Sequence, residues 1–505
     1  MFLVKRRNAM FDFEKISASK FYTAPTSERV VEFAPRDVDM SNLSKVLSVA
    51  VDAKATSVEV EDGYAQVSGR VNFRLAYLDK DGAPKGVDYN ADFTARVDGE
   101  FDEGDNAWCD VVISESDVEA SDTLTLTAVL ELKVSAIKRD EIEVLTGADD
   151  CYVTTKDIFV PTYIAQKTVV VPFDDEKNVG GEIQSVLGLS TTAIPLKSMA
   201  NEGGATAKLA VYALVTYVEG GQIKQHAFEI PLEEEFNLDG VKDGDALKLY
   251  AAVKSSKIVL QGVTDDNTIR VEGEIQIKIQ AFRCSKTEIV SDLFMLSHQT
   301  EIERNVIKYA CFDGCGYFVK GVSGTATLSD NKPGAIEVCA LPYARCYVTR
   351  AYVSEDNNLV VEGVANTDII YRDENGFNSV RAEIPFAVSA PSDIPFSKTV
   401  QVDCRISRID AVVRREREFD ITFDVAIAVC GFSPLEATYI SAVNLGAERA
   451  QNKSALSVYV ASSSDTMLDV CSALSAMPED ILLQNPDLAE PFAEDTKIVY
   501  FRALK

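Results

Sequence analysis

Three long stretches with strict alternation of apolar residues constrain the fold of this chain most strongly. Their alternating positions are, in chain order, Leu124, Leu126, Ala128, Leu130, Leu132 and Val134; Ile269, Val271, Gly273, Ile275, Ile277 and Ile279; and Phe419, Ile421, Phe423, Val425, Ile427 and Val429. Every second side chain of a β-strand points to the same face, so this period predicts a half-buried antiparallel strand and not a helix. We therefore expect a mainly β protein.

A shorter pattern precedes each of these runs. An aromatic strand ending in tyrosine and a polar turn occur at residues 67–77 and 79–82, at 208–217 and 219–221, and at 361–371 and 373–376. Gly69 and Gly363 each precede their tyrosine by eight positions, whereas Leu209 stands at the corresponding place in the second segment. A second apolar strand follows each turn, so each segment is expected to form a β-hairpin.

The shared order of these features predicts the domain organisation. Units of roughly 100 to 120 residues match the size of a β-sandwich. We expect three tandem sandwich-like repeats at 45–160, 175–300 and 335–445, residues 1–44 packed on the first repeat, and linkers at 172–182 and 323–334. The alternative, that unrelated β-strands share such a pattern by chance, stays open at this point.

Charge and hydropathy narrow the possible partners. The 505 residues contain 79 acidic and 50 basic side chains, a net charge of −29, which repels nucleic acids and anionic lipid surfaces. No apolar run approaches the roughly 20 residues that a membrane-spanning helix needs, and no signal-peptide core follows the basic residues near the N-terminus. The sequence predicts a cytoplasmic protein without nucleic-acid partners or membrane insertion.

The residues that usually carry catalysis or bind metals are sparse. His226 and His298 are the two histidines, and neither lies in a recognisable catalytic motif. Cys311 and Cys315 are close in sequence, but they lack the four ligands of a structural zinc site. We expect no enzyme activity, no metal and no cofactor, and we expect cysteines such as Cys339, Cys404 and Cys430 to be reduced thiols in apolar strands.

The last fifty residues follow a different pattern, and we assign them to a separate domain at 455–503. A strand at 456–460, helices beginning after Thr466 and at Pro478, and a strand at 496–501 predict a βααβ unit, with Thr466 and Asp469 in capping-box spacing. Residues 451–454 are expected to form an exposed linker. The expected core consists of Val458, Leu468, Cys471, Leu474, Ile481, Leu482, Ile498 and Tyr500.

This βααβ unit resembles the LysM module. Asp465-Thr466 and Asn485-Pro486-Asp487-Leu488 match its two loop motifs, whereas Ser464 and residues 493–496 depart from them. In LysM modules the two loops form a groove for glycans that contain N-acetylglucosamine, such as peptidoglycan or chitin. The resemblance implies a ligand- or partner-binding site of Asp465, Thr466, Met467, Asn485, Pro486, Asp487 and Leu488. Thr466 and Asn485 could equally serve as helix caps, and Glu490, Glu494 and Asp495 would suit a protein partner better than a neutral sugar.

Tandem β-rich repeats followed by a LysM-like unit resemble the SPOCS-domain proteins of spore-forming Firmicutes, in particular the SipL type of clostridia. The resemblance implies a non-enzymatic scaffold of spore coat assembly that acts in the mother-cell cytoplasm at the forespore surface. Its implied partner is the coat morphogenetic ATPase of the stage IV sporulation protein A type, or another coat protein. The alternative is a cell-wall or cortex protein that binds glycans containing N-acetylglucosamine.

Overall fold

The computed structural model describes residues 10–35, 40–261, 267–354, 356, 358–391, 399–450 and 454–502. As the alternating pattern predicts, the protein is mainly β, and its strands pair in antiparallel sheets. Helices occur among the described residues only in the C-terminal fifty. None of these helices is long and apolar enough to cross a membrane.

The first sandwich is built from two sheets. Its strands are β1 (Phe11–Thr23), β2 (Ser27–Phe33), β3 (Leu43–Glu61), β4 (Tyr64–Asp79), β5 (Pro84–Asp98), β6 (Asn106–Ala120) and β7 (Leu124–Ala148). In one sheet β7 pairs with β1 and β2 along one edge and with β6 along the other, and the second sheet is the meander β3-β4-β5. The two N-terminal strands thus pair with β7 of the first sandwich; of the segment 1–44, residues 1–9 and 36–39 lie outside the described residues.

The next two sandwiches use the same order of pairing. The second contains β8 (Cys151–Asn178), β9 (Ile183–Asn201), β10 (Gly204–Glu219), β11 (Gln222–Asn237), β12 (Ala246–Gln261) and β13 (Thr268–Met295). The third contains β14 (His298–Thr327), β15 (Glu337–Ala340), β16 (Arg345–Val353), β17 (Asn358–Asp373), β18 (Gly376–Pro391), β19 (Thr399–Arg415) and β20 (Glu418–Glu448). In each, the first strand pairs with the last, the middle strands form a meander, and the penultimate strand completes the first sheet.

The observed units begin earlier than the expected boundaries. The first strands of the second and third sandwiches start at Cys151 and His298, upstream of 175 and 335. Residues 172–178 and 323–327, which the sequence suggests as linkers, are paired parts of β8 and β14. Turn-forming residues do not end these strands, because each is held along its length by the last strand of its own sheet.

Each sandwich encloses one core, and the alternating runs supply much of it. Leu126, Ile275 and Val425 are completely buried, each between the two sheets of its own sandwich. The three predicted hairpins are present as β4-β5, β10-β11 and β17-β18. The local pattern therefore identifies correctly both the buried faces and the turns that set the strand register.

Close pairing of glycine with phenylalanine explains the glycines of the first and third hairpins. Gly69 lies opposite Phe93 and Gly363 lies opposite Phe386, and a Cβ atom at Gly69 would be 2.3 Å from the Phe93 ring. In the second sandwich Leu209 lies opposite Leu232. A glycine–phenylalanine pair and a leucine–leucine pair fill similar volumes. The second sandwich therefore differs from the other two in both members of the pair, and not only in the missing glycine.

Beyond the sandwiches, three two-stranded ribbons pack against one another. The ribbons are the extended pairs β1-β7, β8-β13 and β14-β20. They meet at an aromatic cluster, which we call the junction, where the ring centroids of Phe21, Phe282, Phe312 and Phe432 lie 4.9 to 5.9 Å apart. Two further apolar clusters along the ribbons also contain residues from all three, so the contact continues beyond the junction.

Irregularities in the strands let the same strands serve a sandwich and the junction. The register of β8-β13 shifts between Ala281 and Phe282, and that of β14-β20 shifts between Phe312 and Gly314. One extra residue in a strand moves the following side chains to the opposite face of the sheet. In β8-β13 and β14-β20 the apolar side chains therefore face the sandwich core before the shift and the other ribbons after it.

Two half-buried arginines link the sandwiches to one another. The Arg405 guanidinium donates hydrogen bonds to the carbonyl oxygens of Ala193 at 2.5 Å and Ala251 at 2.7 Å, which joins the third sandwich to the second. Arg345 donates to the carbonyl oxygen of Val51 in the first sandwich. These contacts satisfy backbone groups at the interfaces and restrict how the sandwiches can be arranged.

One cysteine prediction is wrong. Cys430, expected to be a reduced thiol, lies opposite Cys315 in the β14-β20 pair and forms a disulfide with it. The two residues are 115 positions apart in sequence, so only the pairing of these strands brings them together. Cys339 and Cys404 are free.

The junction gives a stability prediction. Phe312→Ala should destabilise the protein by about 3–5 kcal/mol, because it leaves a cavity among rings from three ribbons. Trp108, the single tryptophan of the sequence, packs edge-on against Phe21, so its fluorescence during urea unfolding reports on this cluster. Val306→Ala on the same strand removes an exposed side chain and should change stability by less than about 0.5 kcal/mol. Equal effects of the two variants would contradict this role of the junction.

The glycine pairing gives a second prediction. Gly69→Ala should cost about 1–3 kcal/mol in thermal unfolding followed by circular dichroism, because the new methyl group overlaps Phe93 and the Lys54 carbonyl oxygen. Gly188→Ala is the matched control, since Gly188 also lies in a strand but has no atom within 4 Å of the added Cβ. This control should not destabilise the protein. A neutral Gly69→Ala variant would show that the Phe93 ring can move aside.

Candidate interaction site in the C-terminal module

The C-terminal module has the predicted βααβ order. It consists of β21 (Leu456–Ala461), α1 (Met467–Leu474), α2 (Pro478–Gln484) and β22 (Thr496–Phe501), with β21 and β22 antiparallel. The predicted capping box is present, because the Thr466 side chain accepts from the Asp469 N–H and the Asp469 carboxylate accepts from the Thr466 N–H. Arg502 donates to the carbonyl oxygens of Leu474 and Ser475 at the end of α1, where a cation is favourable.

Most of the expected core is buried, but two members are not. Cys471, Leu474, Ile481, Ile498 and Tyr500 are buried as predicted, Leu468 is half-buried, and Val470 and Phe492 join them. Val458 and Leu482 were expected inside and are 56% and 38% exposed. The prediction is wrong for β21 because Ser457, Tyr459 and Ala461 face the helices, which turns the more apolar face of the strand outward.

The module packs on the second sandwich's ribbon. Phe294 of β13 is fully buried within the module's own apolar cluster, and Tyr152 of β8 contacts the same cluster. Burial raises the pKa of Tyr152, and the nearby Glu490 carboxylate adds to this rise. The module therefore shares part of its core with the ribbon. Of the linker predicted at 451–454, residues 451–453 lie outside the described residues.

The first loop uses its predicted site residues to hold its own shape. The Asp465 carboxylate accepts hydrogen bonds from the Ser462 N–H and from the Tyr459 hydroxyl, both at 2.9 Å. These bonds, with the backbone bond from Ser462 the largest cause, lower the pKa of Asp465. Thr466 caps α1, and Met467 is buried in the module's core. All three residues have structural roles in this conformation.

The second loop divides its predicted residues between structure and surface. The Asn485 amide donates to the carbonyl oxygens of Ile481 and Val499 at 2.8 Å, and its oxygen accepts from the Val499 N–H at 3.1 Å, which ties α2 to β22. Leu488 is half-buried against the core. Pro486 and Asp487 are exposed, as is Thr466 of the first loop, so these three are the members of the predicted set that are open to solvent.

Two carboxylates of the segment after α2 accept hydrogen bonds from backbone N–H groups at and just before the start of α1. Glu494 accepts from the Ser463 N–H at 3.0 Å, and Glu490 accepts from the Met467 N–H. From the sequence, Glu490 and Glu494 were interpreted only as negative charge that would suit a protein partner, and their hydrogen bonds to the backbone were not predicted. Although the loops are rich in carboxylates, no group of three or more His, Cys, Asp or Glu side chains in the described ranges is arranged to hold a metal ion.

The outer face of the module's sheet is apolar and exposed, and sequence reasoning missed it. The register places Leu456 opposite Phe501, Val458 opposite Val499 and Val460 opposite Lys497 on this side. The exposed fractions of Leu456, Val458, Val460 and Phe501 are 50, 56, 52 and 61%. The Gln484 side chain binds the Phe501 backbone and continues the surface towards the strongly exposed Leu483. We call Leu456, Val458, Val460, Lys497, Val499 and Phe501 the outer face.

Docking of the module yields a prediction. Phe294→Ala should weaken the contact between module and ribbon, because the missing ring leaves a cavity in a shared core. In limited proteolysis residues 454–502 should then be cleaved at least about tenfold faster, for a loss of 1.4 kcal/mol or more, while the three sandwiches stay resistant. The control Leu296→Ala alters an exposed neighbour and should leave cleavage unchanged. Unchanged cleavage in Phe294→Ala would show that the module is stable without the ribbon.

Comparison with known proteins identifies no relative of this chain. No protein-family model matches the sequence, and no curated protein or solved structure matches it.

Proposed function

We propose that this protein is a non-enzymatic scaffold that holds a protein partner on the outer face of its C-terminal module. The single observation that carries the proposal is the exposure of Leu456, Val458, Val460 and Phe501 as neighbours on one sheet face. Contiguous exposed apolar side chains on a folded protein are typical of an interaction surface.

The orientation of β21 supports a role in binding. Folding alone favours burial of the Leu456, Val458 and Val460 face and exposure of the face that contains Ser457 and Tyr459. The module has the opposite arrangement. Local rules of this kind are broken most often where a functional surface must be kept available.

Charge indicates what the partner offers. The module's carboxylates at 465, 469, 490, 494 and 495 lie in the loops and in the first turn of α1, whereas the outer face carries the single cation Lys497. A matching partner therefore presents an apolar patch with an acidic residue near Lys497. Such a pair at the rim fixes orientation, while the apolar contact supplies most of the affinity.

The resemblance to SPOCS-domain proteins of the SipL type supports a specific setting. In this proposal the protein takes part in spore coat assembly at the forespore surface, on the mother-cell side, and the partner is a coat morphogenetic ATPase of the stage IV sporulation protein A type. The ribbons of the three sandwiches pack together at the junction, and in this proposal they form a rigid base for the module. Rigid placement is useful in a scaffold because it reduces the entropy lost on binding.

Glycan binding in the loop groove is the competing function. It is less favoured because Glu490 and Glu494 already accept hydrogen bonds from the backbone N–H groups of Met467 and Ser463, next to the first loop motif. A glycan would have to displace these carboxylates and leave them to be solvated again. Binding of chitooligosaccharides at millimolar concentration, measured by isothermal titration calorimetry, would favour this alternative.

The outer face can be tested with one charge substitution. Val458→Glu should reduce capture of the purified coat ATPase by at least about tenfold, equivalent to 1.4 kcal/mol, because it places an unpaired carboxylate in an apolar contact. Val412→Glu on β19 is the matched control, since Val412 has the same exposed fraction of 56% and lies on the third sandwich. Circular dichroism should show both variants folded, as both side chains face solvent.

Two results would contradict the proposal. If Val458→Glu and deletion of residues 450–505 both leave ATPase capture unchanged, the module does not form the interface. If Val458→Glu retains capture and chitooligosaccharides compete with it, the loop groove is the binding site instead.

A further inference from the structure

The two edges of the module's sheet differ. Along β22, two amide side chains take the place of a neighbouring strand. The Asn485 side chain donates to the Val499 carbonyl oxygen at 2.8 Å and accepts from the Val499 N–H at 3.1 Å. The Gln484 side chain donates to the Phe501 carbonyl oxygen at 3.0 Å and accepts from the Phe501 N–H at 2.7 Å. The outward backbone groups of Val499 and Phe501 are therefore satisfied within the module.

These bonds determine which backbone groups of β21 point outward. In an antiparallel pair, two residues directly opposite each other either exchange both backbone hydrogen bonds or direct both away from the partner strand. Val499 bonds outward, so Val458 opposite it directs its N–H and C=O groups away from β22. Leu456, which lies opposite Phe501, and Val460, two positions beyond Val458, follow the same alternation.

The outward edge of β21 is open. Among the described residues, β22 is the one strand that pairs with β21, and no hydrogen bond engages the backbone groups of Leu456, Val458 or Val460. The side chains of the same three residues are at least half exposed and form the apolar row of the outer face. An unused donor and acceptor on each of these residues therefore lie beside an apolar surface.

Another edge strand of this protein is protected against pairing, whereas β21 is not. β11 is the edge of the β11-β10-β9 sheet, and it contains Pro231 and glutamates at 229, 233, 234 and 235. Proline cannot donate to a neighbouring strand, and charged side chains disfavour its approach. β21 contains no charged residue and no proline. An apolar edge without such protection invites another strand to pair with it.

We propose that the partner supplies an extended segment that adds to β21 as the third strand of the module's sheet. This inference rests on the proposed function of the outer face and specifies the form of the partner. The backbone of the added segment bonds the outward N–H and C=O groups of Leu456, Val458 and Val460. A helix could cover the apolar side chains, but its own backbone groups are already paired and cannot satisfy those of β21.

The geometry of the sheet also specifies the sequence pattern of the segment. Every second side chain of an added strand lies beside Leu456, Val458 and Val460 on the outer face, so these side chains should be apolar. The alternate side chains lie on the side of Ser457 and Tyr459 and can be polar. The partner segment is therefore an alternating apolar–polar stretch of about five or six residues, the usual length of a strand.

Proline at position 458 of the full-length protein tests strand addition. Val458→Pro removes an N–H that points away from β22, and proline is tolerated in an edge strand in that orientation, so β21 should stay paired with β22. Capture of the purified coat ATPase should fall at least about tenfold, because the added strand loses a bond and meets the proline ring. Val458→Ala keeps the N–H and should weaken capture less than about fivefold. Circular dichroism and thermal unfolding check that both variants are folded.

Hydrogen–deuterium exchange of the wild-type protein provides a measurement that needs no variant. In the free protein the amides of Leu456, Val458 and Val460 should exchange faster than those of Ser457 and Tyr459, which point towards β22. Bound ATPase should slow the three outward amides at least about tenfold, because each becomes a donor to the added strand. Fragmentation in the mass spectrometer resolves the individual amides.

The outcomes separate this inference from the proposed function. If Val458→Glu weakens capture but a folded Val458→Pro variant does not, the outer face binds the partner without an added strand, and strand addition is overturned. Unchanged exchange of the three outward amides in the bound state overturns it as well, even where Val458→Pro fails to fold. If neither Val458→Glu nor Val458→Pro weakens capture, the outer face is not the interface, and the proposed function fails together with this inference.

Discussion

Four phenylalanines from three ribbons share one centre, and the placement of the three sandwiches relative to one another depends on this contact. Phe21, Phe282, Phe312 and Phe432 lie on separate β-strands, and their rings pack in tilted and edge-to-face pairs. Aromatic rings bury large apolar areas, so a cluster of this kind is costly to separate. The adjoining apolar clusters and the half-buried arginines at the sandwich interfaces further restrict how the sandwiches are placed.

The C-terminal module depends on the same ribbons. A βααβ unit of about fifty residues is near the lower limit at which a single core is stable. Phe294 supplies an additional ring from the second sandwich's ribbon, and the Arg449 guanidinium lies 4.7 Å from that ring's centroid. The module therefore packs on the ribbon through a shared core, while its outer face is exposed to solvent.

The candidate site shows how structural and binding roles separate within one motif. Asp465, Thr466 and Asn485 were candidate ligand residues, yet each is engaged by hydrogen bonds inside the module. Residues that shape a loop and residues that bind through it are chemically similar, because both need polar side chains near a turn. The apolar residues of the outer face gave no such signal, since alternating valines and leucines in a strand ordinarily indicate a buried face.

The sequence by itself determined the mainly β fold, the hairpins, the faces buried in each sandwich and the βααβ order of the tail, because these depend on local periodicity and turn chemistry. Leu126, Ile275 and Val425 were identifiable in this way. Only the tertiary structure decided where the strands shift register, which is why the junction and the Cys315–Cys430 disulfide were not foreseen. It also decided which face of β21 is turned outward. The register shifts and the orientation of β21 both follow from contacts between segments far apart in sequence, because the packing energy of these contacts outweighs the local preference of a single strand.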